Sequence, residues 1–356
     1  MTRLPTTLVA CAMALASMTG CTSGQPAPGA SASSELSAAA AATSAATSTA
    51  TATGITEPTA ATGGLPTMLP TAGQPLLGSA PVLAVKIDNT SSARPRVGLD
   101  SADIVYVEPV EAGLTRLMAI YASAKPAEVG PIRSARESDV AVLANYGRVA
   151  FAYSGASTIT AATLAGGRQV NVSMDSGGGG FRRDSSRKAP YNVIGGPAAL
   201  LSRAGGSAPA ADIGFHVGPL APEARPGSGV STAYPLARLG FSWDVTRGRY
   251  LVRVDGTAEV TASGVSVGAA TVLVQTVRTH PSANRDVNGV ATPILEVVGA
   301  GAALVLRDGH VISGRWSRSS AAAPTVLTTA SGAEMTVAAG PLWVLLVPEG
   351  QPVAVS

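Results

Sequence analysis

Apolar positions along this chain come in short bursts between polar and small residues, and the spacing inside each burst predicts its element. Pro81 to Asn89, "PVLAVKIDN", is an apolar run ending in polar turn residues, the pattern of a buried strand. In "ADIVYVEPVEAGLTRLMAIYA", Ala102 to Ala122, one face of an extended chain carries Ile104, Tyr106 and Glu108, and the other carries Val105 and Val107. Pro109 to Gly113 breaks the run and Leu114 to Tyr121 returns, which predicts a β-hairpin. In "VGPIRSARESDVAVLANYG", Val129 to Gly147, Pro131 suits a first helical turn, and Val140, Leu143, Ala144 and Gly147 suit one helix face. "RVAFAYSGAS" then reads as a strand and "TITAATLAGG" as a short helix ended by glycine.

Two glycine- and proline-rich stretches, "RAGGSAPAADIG" and "GPLAPEARPGSG", predict a linker over 204–229. Beyond it, short alternating runs are joined by turns. Asp255-Gly256 and Asp308-Gly309 are hairpin signals, because a type I′ turn needs positive φ at both central residues. The predicted fold class is α+β: a layered α/β-type N-terminal domain over 75–203, followed by a smaller, mostly β C-terminal domain over 230–350.

The first 74 residues have a different pattern. Arg3, an apolar run too short to span a bilayer, and small residues before Cys21 make a secretory signal over 1–20. Met18-Thr19-Gly20-Cys21 resembles a bacterial lipobox, which implies cleavage before Cys21 and lipid, palmitate included, on the mature N-terminal cysteine. An ordinary secreted protein with a stray cysteine is the alternative. Residues 21–74 are mostly Ala, Ser, Thr, Pro and Gly, with Glu35 and Glu57 as the only charges after the cysteine. Such a segment cannot bury enough apolar surface to offset chain entropy, so it predicts a disordered tether spanning roughly 40 Å root-mean-square. The expected location is extracytoplasmic, lipid-anchored to the outer face of the bacterial cytoplasmic membrane.

Cysteine count and charge narrow the rest. Of two cysteines, Cys11 falls in the signal, so the mature chain has neither a disulfide framework nor a thiolate metal site. The net charge of +3 includes Arg3, and so faint a basic balance argues against a nucleic-acid groove. No motif asks for a cofactor.

A longer pattern overlies these elements. "KIDN", "ARPRVGLDSADIVYVEPVEAGLTRLMAIY", "VGPIRSAR" and "FRRDSSRKAPYN" resemble the first domain of the YerB-type bacterial lipoproteins. "DGHVISGRWSR" and "GPLWVLLVP" resemble the smaller C-terminal domain of that family. The resemblance implies a two-part domain of unknown function and carries over no catalytic residue. One departure is Tyr153 in "AYSGAS", where a histidine is expected in many relatives.

The candidate chemistry is ionic. Arg133 and Arg136 stand one helical turn apart if their segment is helical, and with Arg94 and Arg116 they form a candidate anion-binding set. Asp88, Asp103, Glu108 and Glu111 form a candidate acidic cluster from neighbouring strand ends and loops. Those carboxylates can equally pair with the arginines, leaving an internal ion network. A metal site is the weaker reading, with no calcium-loop spacing and no histidine nearby. Gly177 to Gly180 beside Arg182, Arg183, Arg187 and Lys188 lacks a Walker ending and reads as a mobile surface loop. Trp243, Trp316 and Trp343 suit core packing better than a glycan-stacking face, and no G-x-S-x-G elbow is present.

These readings favour an envelope protein that binds an anionic wall polymer, a lipid head group or a protein partner. The rivals are an envelope transferase or hydrolase acting on phosphate-containing wall glycopolymers, and a structural module of a wall-synthesis complex.

Overall fold

The computed structural model describes residues 73–205, 207–286 and 288–356. The signal, Cys21 and the tether as far as residue 72 lie outside the described residues.

The N-terminal half supplies five strands to a central sheet: β1 (Leu83–Asp88), β2 (Ile104–Pro109), β3 (Thr115–Tyr121), β4 (Ala150–Ala152) and β5 (Val170–Asn171). β1, β2 and β3 are buried along their whole length. Both of their faces are therefore packed, which explains the nearly unbroken apolar runs. β2 and β3 form the expected hairpin, with its tight turn at Ala112 and Gly113, both at positive φ.

The C-terminal half continues the same sheet. Its strand Leu342–Pro348 lies parallel to β2, with Leu342 opposite Ile104 and Leu345 opposite Val107. The strand order then runs through Thr271–Arg285, Gly299–Arg307 and His310–Arg318 to Val326–Thr329 at the edge. A second sheet, centred on Gly229–Tyr234, Ala237–Asp244 and Arg249–Val254, covers one face of the first. The opposite face packs on α1 (Ser138–Leu143), α2 (Thr158–Ala165) and the segment around Ile213, Phe215 and Val217. A third helix, α3 (Pro197–Arg203), joins the second-sheet side through Leu200.

Strands thus dominate and helices are few and short, so the layered α/β character expected of the N-terminal half is not what organises it. One cause is local. The stretch from Val129 to Arg136, read as the start of a helix, is extended, and α1 begins only at Ser138. Its backbone is engaged by neighbouring segments: the Arg133 amide donates to the Lys86 carbonyl (2.9 Å) and the Ile132 amide to that of Val193 (2.7 Å). Those long-range bonds replace helical ones, and the argument from a shared helix face and a helix dipole falls with them.

The expected linker is likewise tied into the body. Amides of Ala208, Ala211 and Val217 donate to carbonyls of Arg148, Tyr146 and Gln74, and Arg225–Pro226 pairs with His310–Arg318. Low side-chain complexity marked the segment, but its backbone groups find partners on both sides. The buried Arg96–Glu259 ion pair also joins the halves. Both Asp-Gly turns form as expected, with φ of 53° and 77° at Asp255-Gly256 and 53° and 71° at Asp308-Gly309. Trp316 and Trp343 lie in the core and Trp243 packs on Tyr250.

Candidate functional site

The register of three strands places charge inside the sheet. Arg116 on β3 stands opposite Asp88 on β1 and Glu108 on β2, and Met118 stands opposite Lys86 and Tyr106. Residues directly opposite share a face, so Lys86, Asp88, Glu108 and Arg116 all point to the side covered by α1. Lys86 is fully buried, and its Nζ donates to Glu108 Oε2 and to Asp139 Oδ1, each at 2.6 Å. Asp139 comes from the first turn of α1, and its Oδ2 accepts from the Arg136 amide at 2.7 Å. Burial raises the Glu108 carboxyl well above the ordinary carboxylate range, and Lys86 only partly offsets this. Glu108 Oε1 is buried without a hydrogen-bond partner.

Above this triad sit three guanidinium groups. Arg136 grips Glu111 in a bidentate pair (2.6 and 2.7 Å), and the Thr292 hydroxyl adds a third bond to that carboxylate. Burial pushes Glu111 up, but the hydrogen bonds and charge of Arg136 outweigh it and hold the group below its ordinary value. Arg133 Nε approaches Asp88 Oδ2 at 2.7 Å, a charge contact without hydrogen-bond alignment, and its guanidinium lies 5.5 Å from the Tyr191 ring centroid. Asp88 Oδ1 is held by the amide and hydroxyl of Thr90, both at 2.6 Å. Arg116 donates to the Ser134 carbonyl at 3.1 Å. Among the described residues no carboxylate stands within 4.0 Å of it. Burial, then the charges of Arg136 and Arg133, pushes Arg116 down to about 10, so it is still a cation at neutral pH.

Six of the eight candidate charges therefore meet at one corner: Asp88, Glu108, Glu111, Arg116, Arg133 and Arg136. Asp103 does not. It lies at the opposite end of β2 and accepts from the amides of Ala122 and Ser123 (2.6 and 2.9 Å), closing a loop. Arg94 turns instead to the C-terminal half, donating to the Val254 carbonyl (2.7 Å) and pairing with Asp255 (3.3 Å). Lys86 and Asp139 were not among the candidates. A lysine in the middle of a buried-strand pattern was the available signal for the first, since such a charge needs buried partners.

Arg94 also lines an open cleft of about 540 Å³ with Ser92, Pro95, Ser186, Arg187, Lys188 and Tyr191. Its lining holds three cations and no carboxylate. Arg187 is fixed by the Ala93 and Pro95 carbonyls and by Asp184 (3.2 Å), whereas Lys188 is exposed. The segment read as a mobile loop is anchored here. Phe181–Arg183 pairs with Val193–Gly195, and Arg182 clamps Glu128 through two 2.6 Å bonds. A larger cavity, about 800 Å³, lies at the far end of the sheet beside Asp103 and Arg249, away from the cations grouped around Arg116. Among the described residues no three His, Cys, Asp or Glu side chains are grouped to hold a metal ion. Tyr153 is buried against Phe151, with ring centroids 4.9 Å apart.

Comparison with known proteins now bears on this arrangement. Residues 66–210 match the N-terminal domain, and residues 230–344 the C-terminal domain, of a protein of unknown function, DUF3048. The chain belongs to the DUF3048 family. "Putative lipoprotein YerB" of Bacillus subtilis (strain 168) is 36% identical over 111 residues, 31% of this chain. That match spans about a third of the relative's length, 33%. The crystal structure of YerB from Bacillus subtilis superposes with a TM-score of 0.67 at 22% identity, over 79% of this chain and 99% of that one, a likeness of fold. Within the DUF3048 fold, the sheet crosses the boundary between the two matched segments through the pairing of β2 with Leu342–Pro348.

Proposed function

We propose that this DUF3048 protein is a lipid-anchored envelope protein that binds an anionic wall polymer in the cleft between Arg94, Arg187, Lys188 and Tyr191. One observation carries the reading: three cations and no carboxylate line an open cavity. Arg94 and Arg187 pair with Asp255 and Asp184, but neither acid lines the cavity, and Lys188 is exposed there. Guanidinium groups suit phosphate and carboxylate oxygens, and Tyr191, backed by Arg133, offers a flat face to a polymer unit. The anchor rests on the lipobox-like sequence ending at Cys21 and on the lipoprotein name of the Bacillus relative. Signal cleavage, acylation of Cys21 and display on the outer face of the cytoplasmic membrane complete the proposal.

The test is binding of the full chain to purified phosphodiester-linked wall polymer, with neutral glycan and anionic vesicles as comparisons. Binding that weakens with salt, and roughly tenfold for Lys188→Glu, is the expected result. Equal retention on neutral glycan, or binding to vesicles alone, overturns the wall-polymer reading.

A further inference from the structure

The triad beneath the arginines has a composition that an ion pair does not require. One buried lysine needs one carboxylate for neutrality, yet Lys86 Nζ touches two, and Glu108 Oε1 is left without a partner. Burying that extra acid is costly, and well-packed apolar residues of similar volume commonly do as well as a buried ion pair. The three side chains are 0%, 1% and 0% exposed, so bulk water is excluded from their contact. Glu108 Oε2 and Asp139 Oδ1 both lie 2.6 Å from Lys86 Nζ, which brings nucleophile, acid and proton carrier together.

We propose that Lys86 and Asp139 join in an intramolecular amide bond, with Glu108 as the catalytic residue that moves the protons. An ammonium cannot attack and a carboxylate resists attack, so the reaction needs a neighbouring group that moves a proton off Lys86. Glu108 Oε2, 2.6 Å from Nζ, accepts one ammonium proton and frees the amine lone pair. That proton passes to Asp139 Oδ1, and the amine attacks Asp139 Cγ to form the C–N bond. The developing negative charge falls on Oδ2, where the Arg136 amide already donates at 2.7 Å. A second proton from nitrogen travels through Glu108 to Oδ1, the C–O bond breaks and water leaves. An ammonium and a carboxylate become a neutral amide and one water, and Glu108 is restored. No oxidant or external reactant takes part. Burial of Glu108 raises its proton affinity, as this role requires.

The bond would tie β1 to α1 across 53 residues of sequence. The described body contains no cysteine, so this covalent tie would not depend on redox state. It is independent of the polymer-binding cleft, and either proposal can fail alone.

Mass spectrometry of the denatured full chain decides it. The folded wild type is expected to weigh one water less than its sequence, and a protease digest to contain a branched peptide joining Lys86 to Asp139. Asp139→Ala is expected to keep its full sequence mass. Glu108→Gln preserves shape and an acceptor for Lys86, and it is expected to fold with an unchanged circular dichroism spectrum yet keep its full sequence mass. A wild type at full sequence mass after prolonged incubation in the folded state overturns the bond. A linked Glu108→Gln chain overturns the role of Glu108.

Discussion

Two charged regions, linked through Arg133 between Asp88 and the Tyr191 ring, use the same residue types to opposite ends. Around Lys86 the charges are dry and Lys86, Arg133 and Arg136 are each met by an acid, so electrostatics there is a matter of folding and of chemistry among the side chains themselves. In the cleft by Tyr191, Arg94 and Arg187 have part of their hydrogen-bonding capacity satisfied by the fold, Lys188 faces solvent, and no acid lines the space. The difference teaches that a basic residue type says little about role. Water access decides whether a cation holds its own chain or is available to a ligand, because the same pair gains several-fold more Coulomb energy in a low dielectric.

The comparison breaks most visibly at its dry end. Lys86→Ala leaves two buried carboxylates facing each other, and unfolding in guanidinium should register a loss of about 3–5 kcal/mol. A loss under about 1 kcal/mol would mean that solvent reaches the triad. Arg136→Ala is intermediate. It strands the buried Glu111 on Thr292 alone and should cost about 1–3 kcal/mol in the same assay.

A milder effect belongs to His216, which is clamped between Asp212 (3.0 Å) and Glu334 (2.6 Å) where the former linker segment meets the C-terminal half. Hydrogen bonds to Asp212 and then Glu334 raise its pKa above the ordinary 6.5. The folded value exceeds the unfolded one, so this stabilisation is complete below the unfolded pKa and is lost as pH rises through the folded value. Melting temperature should therefore fall across that window in the wild type, and His216→Gln should remove that component of the slope. The smallest change marks the wet end. Lys188→Glu should leave the unfolding midpoint where it is while weakening polymer binding, and a large loss of stability would place Lys188 in the structural network instead.

Legibility followed the distance over which a signal acts. The β2–β3 hairpin could be read because its two apolar runs adjoin in sequence across a short break, and the Asp-Gly turns because their φ requirement is local. The helix expected from Pro131 failed because local spacing suited it, while the backbone of Val129 to Arg136 was claimed by β1 and by Val193–Gly195. Asp103 looked like a member of the acidic cluster since it precedes the same strand as Glu108. A strand separates its two ends by about 3.3 Å per residue, so the five-residue offset carries it to the other end of β2.

Sequence alone determined the β2–β3 hairpin, the mostly β C-terminal half, the tight turns, the lipobox-like segment and the family pattern, since each resides in neighbouring residues. Tertiary structure decided which acid meets which cation. Lys86 finds Asp139 53 residues away, Thr292 finds Glu111 181 residues away, and the two matched segments become one sheet at β2 and Leu342–Pro348. No local spacing encodes such pairs. They depend on how buried strands register, and burial then sets whether each charge is spent on the fold or left for a ligand.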